Sequence, residues 1–137
     1  MLSKKREQKI AGYPDEIRKL QVEAERIYAQ IEKCTQSKDT AQISLLRPRM
    51  AYLLSMMEDK KAEITKEKES ISSEEPLLTI SLEQEIAELE IQIRQIRTIR
   101  EAVSTAVKAV NTSERQVMLA QITERCRRLS NEAEGRV

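Results

Sequence analysis

The stretch LEQEIAELEIQIRQIRTIREAV, residues 82–103, decides the fold class of this chain. Its large apolar side chains recur at steps of three and four residues, which places them on one face of an α-helix. They are Leu82, Ile86, Leu89, Ile93, Ile96, Ile99 and Val103. Glutamates dominate the first half and arginines the second, an order that suits the helix dipole. The stretch therefore predicts the middle of a long amphipathic helix, which at roughly 30 residues would be about 45 Å from end to end.

Three other segments show the same spacing of apolar residues, from Ile17 to Cys34, from Ile43 to Ile64 and from Leu119 to Ala133. Cap and breaker residues separate these segments. The predicted helices cover about 14–36, 40–70, 77–110 and 114–133. Four amphipathic helices without a predicted strand indicate an all-α fold. Because the connections are short, neighbouring helices must pack antiparallel. We expect an elongated antiparallel helical bundle, or a coiled-coil-like hairpin, of three to four amphipathic helices.

Pro48 lies inside the second predicted helix, where a proline removes one backbone hydrogen bond and costs about 3 kcal/mol. Two interpretations are open: one long helix kinked at Pro48, or a short helical turn over 40–46 followed by a new helix. The apolar stripe keeps its register across the proline, from Leu46 to Met50. We therefore favour one kinked helix.

Two segments are predicted to lie away from the bundle. Residues 1–12 have no apolar periodicity and end in Gly12, so we expect a flexible basic tail in front of a single helical domain over 13–137. Residues 61–70 are mostly charged, and Ile64 is their only large apolar side chain. We expect that end of the second helix to project into solvent or to meet a partner.

The composition excludes several kinds of active site. The chain has no His, two Cys and two Gly, so Ser-His-Asp and Cys-His arrangements are impossible and a Gly-rich phosphate loop is ruled out. The glutamates within residues 83–90 suit a solvated helix face better than a cation site. We expect a protein that is not an enzyme, with no metal, no cofactor and no small-molecule substrate.

Cysteine usage and hydropathy bear on the compartment. Cys34 and Cys126 both lie on predicted core stripes, which predicts buried, reduced thiols and an intracellular setting. No apolar run follows the basic N-terminal residues, and none approaches the ~18 residues that a membrane span needs. We expect a soluble, cytoplasmic protein that does not enter a membrane.

Apolar side chains away from the core stripes are the candidate protein-binding residues. Ile91 lies on the far side of its helix, and Val22 lies off the stripe of the first helix. If the two met in space, a second apolar seam would favour self-association or the docking of a partner helix. Leu54 and Met56 are further candidates, because they belong to a methionine-rich run over residues 50–57.

Basic side chains near the two ends of the chain support a different hypothesis. They are Lys4, Lys5, Arg6, Lys9, Arg115, Arg125, Arg127 and Arg128. If these residues contacted phosphates, the protein would be a nucleic-acid-associated factor. The even balance of 24 basic and 23 acidic residues argues against a large nucleic-acid surface. The scarcity of aromatic side chains argues against base stacking.

Three functional interpretations follow from these patterns. The favoured one is a non-enzymatic protein–protein interaction module, such as an adaptor, an assembly component or a small inhibitor, that acts through helix surfaces. The alternatives are a nucleic-acid-associated factor that uses the basic ends and a self-assembling structural coiled coil. The expected partner is another protein or a second copy of this chain, and nucleic acid is the less favoured partner.

Overall fold

The computed structural model describes residues 2–37, 39–71 and 74–135, with the backbone alone for 132–135. These residues form five α-helices and no strand, which confirms the all-α bundle. The helices are α1 (Lys4–Ala11), α2 (Tyr13–Gln36), α3 (Thr40–Ile71), α4 (Pro76–Lys108) and α5 (Thr112–Gly135). The bounds of α2 to α5 lie within two residues of the sequence-based ones. Residues 38 and 72–73, in two of the predicted breaks, and 136–137, at the end of the predicted domain, lie outside the described residues.

The longest interface of the bundle joins α3 and α4. Two ion pairs show that these helices run antiparallel, because the residue number rises along one helix as it falls along the other. Lys61 Nζ lies 3.4 Å from Glu90 Oε1, and Lys68 Nζ lies 3.7 Å from Glu83 Oε1. Because the connection between the two helices is short, antiparallel packing is the favoured arrangement.

The second helix, α2, packs between α3 and α5. Lys60 of α3 reaches Glu16 near the start of α2, with 3.1 Å between Nζ and Oε2. Near the other end of α2, Glu32 Oε1 accepts a hydrogen bond from Arg127 Nε of α5 at 3.2 Å. Since α5 also packs against α4, the helices α2, α3, α4 and α5 surround a common core.

The core follows the predicted stripes closely. In α4 the buried apolar residues are Leu82, Leu89, Ile93, Ile96, Ile99, Val103 and Ala106, and Ile86 is half-buried. In α3 the predicted stripe is buried from Ile43 to Ile64. The core also holds one polar side chain that the stripes did not predict, Gln92, which is 2% exposed. Its Oε1 atom has no hydrogen-bond partner, so Gln92 carries a desolvation cost.

The buried face of α3 is wider than a single stripe, and this corrects the prediction for Leu54. That residue is 6% exposed and belongs to the core, so it is not a surface contact. The reason is that α3 has two long neighbours, α2 and α4. A helix that packs against two neighbours buries two adjoining stripes instead of one.

The helix α3 is continuous through Pro48, as the register of its apolar stripe predicts. The pyrrolidine ring lies on the exposed side of the helix, where the lost hydrogen bond is closer to water than to the core. The alternative with a fresh helix start near Pro48 is therefore wrong.

The flexible-tail prediction for residues 1–12 is wrong for Lys4–Ala11, which form α1. The Ser3 hydroxyl accepts a hydrogen bond from the Arg6 backbone N–H at 3.2 Å and caps the helix. Ile10 is buried, and Gly12 has helical backbone angles, φ −81° and ψ −14°, so the chain keeps a helical path into α2. An eight-residue helix is unstable alone, so α1 depends on the contacts described next.

The prediction that residues 61–70 project from the bundle is also wrong. Ile64 is fully buried, and several of the neighbouring charges form ion pairs within the chain. Arg6 of α1 donates from Nε to Glu67 Oε2 at 2.8 Å and from Nη2 to Ser70 Oγ at 2.5 Å. Lys9 Nζ adds a 3.5 Å contact to Glu67 Oε1. The charged half of α3 is thus joined to α1 through Glu67 and Ser70 and to α4 through Lys61 and Lys68.

Candidate protein-binding groove

An apolar face of α3 remains uncovered by the bundle. Leu45 is 66% exposed, Tyr52 is 70% exposed and Met56 is 41% exposed. Together with the exposed Pro48, these residues lie within about 80° on the helical wheel. The centre of this face is about 130° from the core stripe of α3. Four apolar side chains on one exposed face form a patch, and such patches commonly mark binding sites. Single exposed apolar residues scattered over a surface do not.

This face forms one wall of a groove between α2 and α3, with a volume of about 730 Å³. The apolar lining residues come from both helices: Leu20, Ile27, Pro48, Tyr52, Leu53 and Met56. The groove runs along α3 from Pro48 to Lys60, which corresponds to about 18 Å of helix. An apolar floor between two helices is the shape that receives the apolar face of a third helix.

Charged side chains form the rim of the groove. Glu16, Lys19 and Glu23 line it on α2, and Arg49 and Lys60 line it on α3. Most of these charges are neutralised within the chain: Lys60 contacts Glu16, Lys19 contacts Asp15, and Glu23 contacts Arg26. Arg49 differs, because its Nη1 donates at 3.0 Å to the neutral amide oxygen of Gln30. The rim therefore offers a guanidinium that a partner carboxylate can neutralise.

A network of polar contacts surrounds Lys60, at the end of the groove opposite Pro48. Lys60 Nζ lies 3.1 Å from Glu16 and 3.4 Å from Glu63, and 5.7 Å from the ring centre of Tyr13. Although burial opposes the charged form, the hydrogen bond to Glu16 and the charge of Glu63 raise the pKa of Lys60. Burial, together with Glu63, raises the pKa of the Tyr13 hydroxyl far above its usual range. Lys60 thus stays cationic and links α3 to α2 through its ion pair with Glu16.

The four predicted protein-binding residues lie in different environments. Met56 lines the groove, and Leu54 is buried as described above. Val22 and Ile91 are exposed, but neither lines this groove. They lie on α2 and α4, which make only a small contact with each other, and both point away from the core. A common apolar seam formed by Val22 and Ile91 therefore stays a prediction.

Two residues of this surface are not predicted from the sequence: Tyr52, which lines the groove, and Leu45, which lies on the same exposed face of α3 outside the groove lining. A signal for them exists, because apolar residues at 45, 52 and 56 recur at the seven- and four-residue steps of one helix face. The stronger stripe through Met50 and Met57 hides this weaker one. Only the position of α2 shows that the second stripe borders a groove.

The basic residues of the nucleic-acid hypothesis do not form one surface. Arg6 and Lys9 are held by Glu67 at the far end of α3. Arg127 contacts Glu32, which lies about 35 Å along the α1–α2 path from Lys9. Arg115 donates from Nε to the Ala109 carbonyl at 3.1 Å and caps the end of α4. Lys4 and Lys5 are exposed on α1, and Arg125 and Arg128 are exposed on α5.

The two cysteines are free thiols, and Cys126 is fully buried while Cys34 is half-buried. Burial raises the pKa of the Cys126 thiol to about 12, so it is chemically inert in the folded chain. Within the described ranges, no group of three or more Cys, Asp or Glu side chains is placed to hold a metal ion. Nor is any helix of those ranges long and apolar enough to cross a membrane.

Comparison with protein-family models, with curated protein sequences and with solved structures finds no match to this chain.

Proposed function

We propose that this protein is a protein–protein interaction module that binds an amphipathic helix of its partner in the α2–α3 groove. The observation that carries the proposal is the exposed apolar face of α3 beside an apolar groove floor. Tyr52 and Met56 would contact the apolar side of the incoming helix, and Arg49 would face one of its carboxylates. Aromatic side chains at the centre of such a contact commonly contribute most of the binding energy.

The size of the groove supports a docked helix over a homodimer. About 18 Å of groove accommodates a helix of three to four turns. The exposed face of α3 offers apolar surface on the order of a few hundred Å². A stable dimer that used this face as its whole interface would need about 800 Å² from each chain. Self-assembly through this face alone is therefore the weaker alternative.

Site-specific photo-crosslinking in an extract of the source cells tests the proposal. A photoreactive phenylalanine derivative replaces Tyr52 in one variant and the exposed Ala87 of α4 in a matched control. We expect a defined cross-linked protein at position 52 and none at position 87. Adding Met56→Lys to the first variant should reduce the yield several-fold, since it places a charge on the apolar wall.

Each other outcome of this experiment favours a different interpretation. A product with twice the mass of the chain would indicate self-assembly, and a cross-linked nucleic acid would favour the nucleic-acid-associated factor. Equal yields at positions 52 and 87, or a yield that Met56→Lys leaves unchanged, would contradict the proposed groove. Circular dichroism of each variant serves as the control for an intact helical bundle.

A further inference from the structure

The arginines near the end of α5 serve two different purposes. Arg127 ties α5 to α2, with its Nε 3.2 Å from Glu32 and its Nη1 3.2 Å from Glu124. At 100° per residue, Arg125 and Arg128 lie about 60° apart on the helical wheel, and Arg127 lies about 160° from Arg125. Arg125 and Arg128 therefore share a face that Arg127 does not belong to.

That face borders a second groove, between α4 and α5, with a volume of about 880 Å³. Its apolar lining includes Ala102 of α4 and Val117 and Met118 of α5. Val117 is 58% exposed, so it presents apolar surface to solvent inside the groove. Arg125 and Arg128 line the same groove, so their side chains stand beside an apolar strip.

The charge of this groove is not balanced by the described residues. Glu124 also lines it, but its carboxylate contacts Arg127. Among the ion pairs of residues 2–37, 39–71 and 74–131, none involves Arg125 or Arg128. Two guanidinium groups beside exposed apolar side chains are complementary to a segment that carries both carboxylates and apolar residues.

The chemistry of the groove favours an acidic peptide over a nucleic acid. Single-stranded nucleic acids are held by aromatic side chains that stack on the bases, and the residues that line this groove include no aromatic. The tyrosines of the chain lie elsewhere: Tyr13 and Tyr28 are buried, and Tyr52 belongs to the α2–α3 groove. Ala102, Val117 and Met118 offer nothing that a phosphate backbone would contact favourably.

We infer that the α4–α5 groove is a second docking site, for an acidic amphipathic helix whose carboxylates pair with Arg125 and Arg128. The apolar residues of that helix lie on Val117 and Met118. This site is independent of the α2–α3 groove, because the two grooves share no lining residue.

Fluorescence anisotropy with two synthetic peptides tests the inference. The first probe is an 18-residue helical peptide with leucines at three- and four-residue steps and flanking glutamates, and the second carries lysines in place of the glutamates. We expect the chain to prefer the glutamate peptide. Arg125→Glu with Arg128→Glu should weaken its binding about tenfold in low salt and strengthen binding of the lysine peptide.

A matched pair of substitutions controls for net charge. Arg18→Glu with Arg100→Glu changes the charge of the chain by the same amount, and both residues are exposed and line neither groove. We expect that pair to change the affinity less than about threefold. Repeating the titrations in a Tyr52→Ser background weakens any binding of the same peptide to the α2–α3 groove, and we expect the tenfold effect of Arg125→Glu with Arg128→Glu to persist there, which separates the two sites.

Three results would overturn the inference. The first is an equal loss of binding in both charge-reversed pairs, which would indicate a general charge effect. The second is a wild-type chain that does not prefer the glutamate peptide. The third is tight binding of a 20-nucleotide oligothymidine that Arg125→Glu with Arg128→Glu abolishes, while the same variant still binds the glutamate peptide as the wild type does. That pattern would assign the two arginines to phosphate binding.

Discussion

Glu67 is the residue that holds α1 on the bundle, and Glu67→Gln tests that assignment with little change in shape. Its carboxylate accepts the Arg6 hydrogen bond at 2.8 Å and contacts Lys9 at 3.5 Å. The Glu67 side chain is only 15% exposed, so solvent screens the Arg6 contact incompletely. The hydrogen bond from Arg6 lowers the pKa of Glu67, although burial opposes that shift.

The cost of the substitution follows from these contacts. A hydrogen bond between charged groups contributes about 1.5–3 kcal/mol, and the half-exposed Lys9 contact adds less than about 1 kcal/mol. Glutamine keeps one acceptor oxygen for Arg6, so we expect a net loss of about 1–2 kcal/mol for the docking of α1. That loss makes the detachment of α1 roughly tenfold more frequent.

Hydrogen–deuterium exchange followed by mass spectrometry measures that detachment. Backbone amides of α1 should exchange roughly tenfold faster in Glu67→Gln than in the wild type. A peptide from the middle of α4, residues 89–103, should exchange at the same rate in both proteins, because α1 does not hold it. Equal exchange of α1 in both proteins would show that Ile10 and the cap at Ser3 hold the helix without Glu67.

The same contact predicts a pH dependence with a definite sign. Because the folded pKa of Glu67 lies below its unfolded value, the ionised carboxylate stabilises the docked α1. The stabilisation is complete above the unfolded pKa and is lost as the pH falls through the lowered folded pKa. In acid, α1 of the wild type should therefore open more often, after correction for intrinsic exchange rates. Glu67→Gln should show a smaller change over the same range.

Three further outcomes are expected from single sites. Gln92→Leu removes a buried polar group whose oxygen is unpaired, so it should stabilise the chain by about 1–2 kcal/mol and raise the melting temperature by several degrees. Pro48→Ala restores a hydrogen bond to the carbonyl of Ser44 inside α3 and should stabilise by about 2 kcal/mol in urea unfolding; an unchanged midpoint would mean that α3 absorbs the proline without strain. A thiol reagent at pH 8 should label Cys34 slowly and Cys126 only after unfolding, and rapid labelling of both would contradict the burial of Cys126.

The sequence predicts the four long helices well because each of them buries a regular apolar stripe. The stripe of α4 is a case in which composition, charge order and spacing agree, and that helix lies within two residues of the predicted bounds. A stripe does not reveal how many neighbours a helix has. Leu54 and Gln92 are buried because α3 and α4 each pack against more than one helix, which only the tertiary structure defines.

The segments that the sequence predicts poorly are those that owe their structure to distant residues. Helix α1 has one buried apolar side chain and two cations whose carboxylate partner lies some sixty residues away. The local sequence does not reveal that partner, and it therefore predicts a basic tail. The α2–α3 groove likewise depends on residues that are distant from one another in the sequence. Met56 is recognisable as an unusual surface residue, but its importance depends on the position of α2.

Closeness in sequence is a poor guide to a shared surface on a helix, and the arginines of α5 illustrate why. Arg125, Arg127 and Arg128 form one basic run in the sequence, yet the 100° rotation per residue divides them between two faces. One face is neutralised by the bundle through Glu32, and the other borders an open groove. The same division on α3 separates buried Leu54 from exposed Tyr52 and Met56. In a helical bundle, binding should therefore be inferred from the helix faces that neighbouring helices leave open. A run of charged or apolar residues in the sequence is not enough, because its members can lie on different faces.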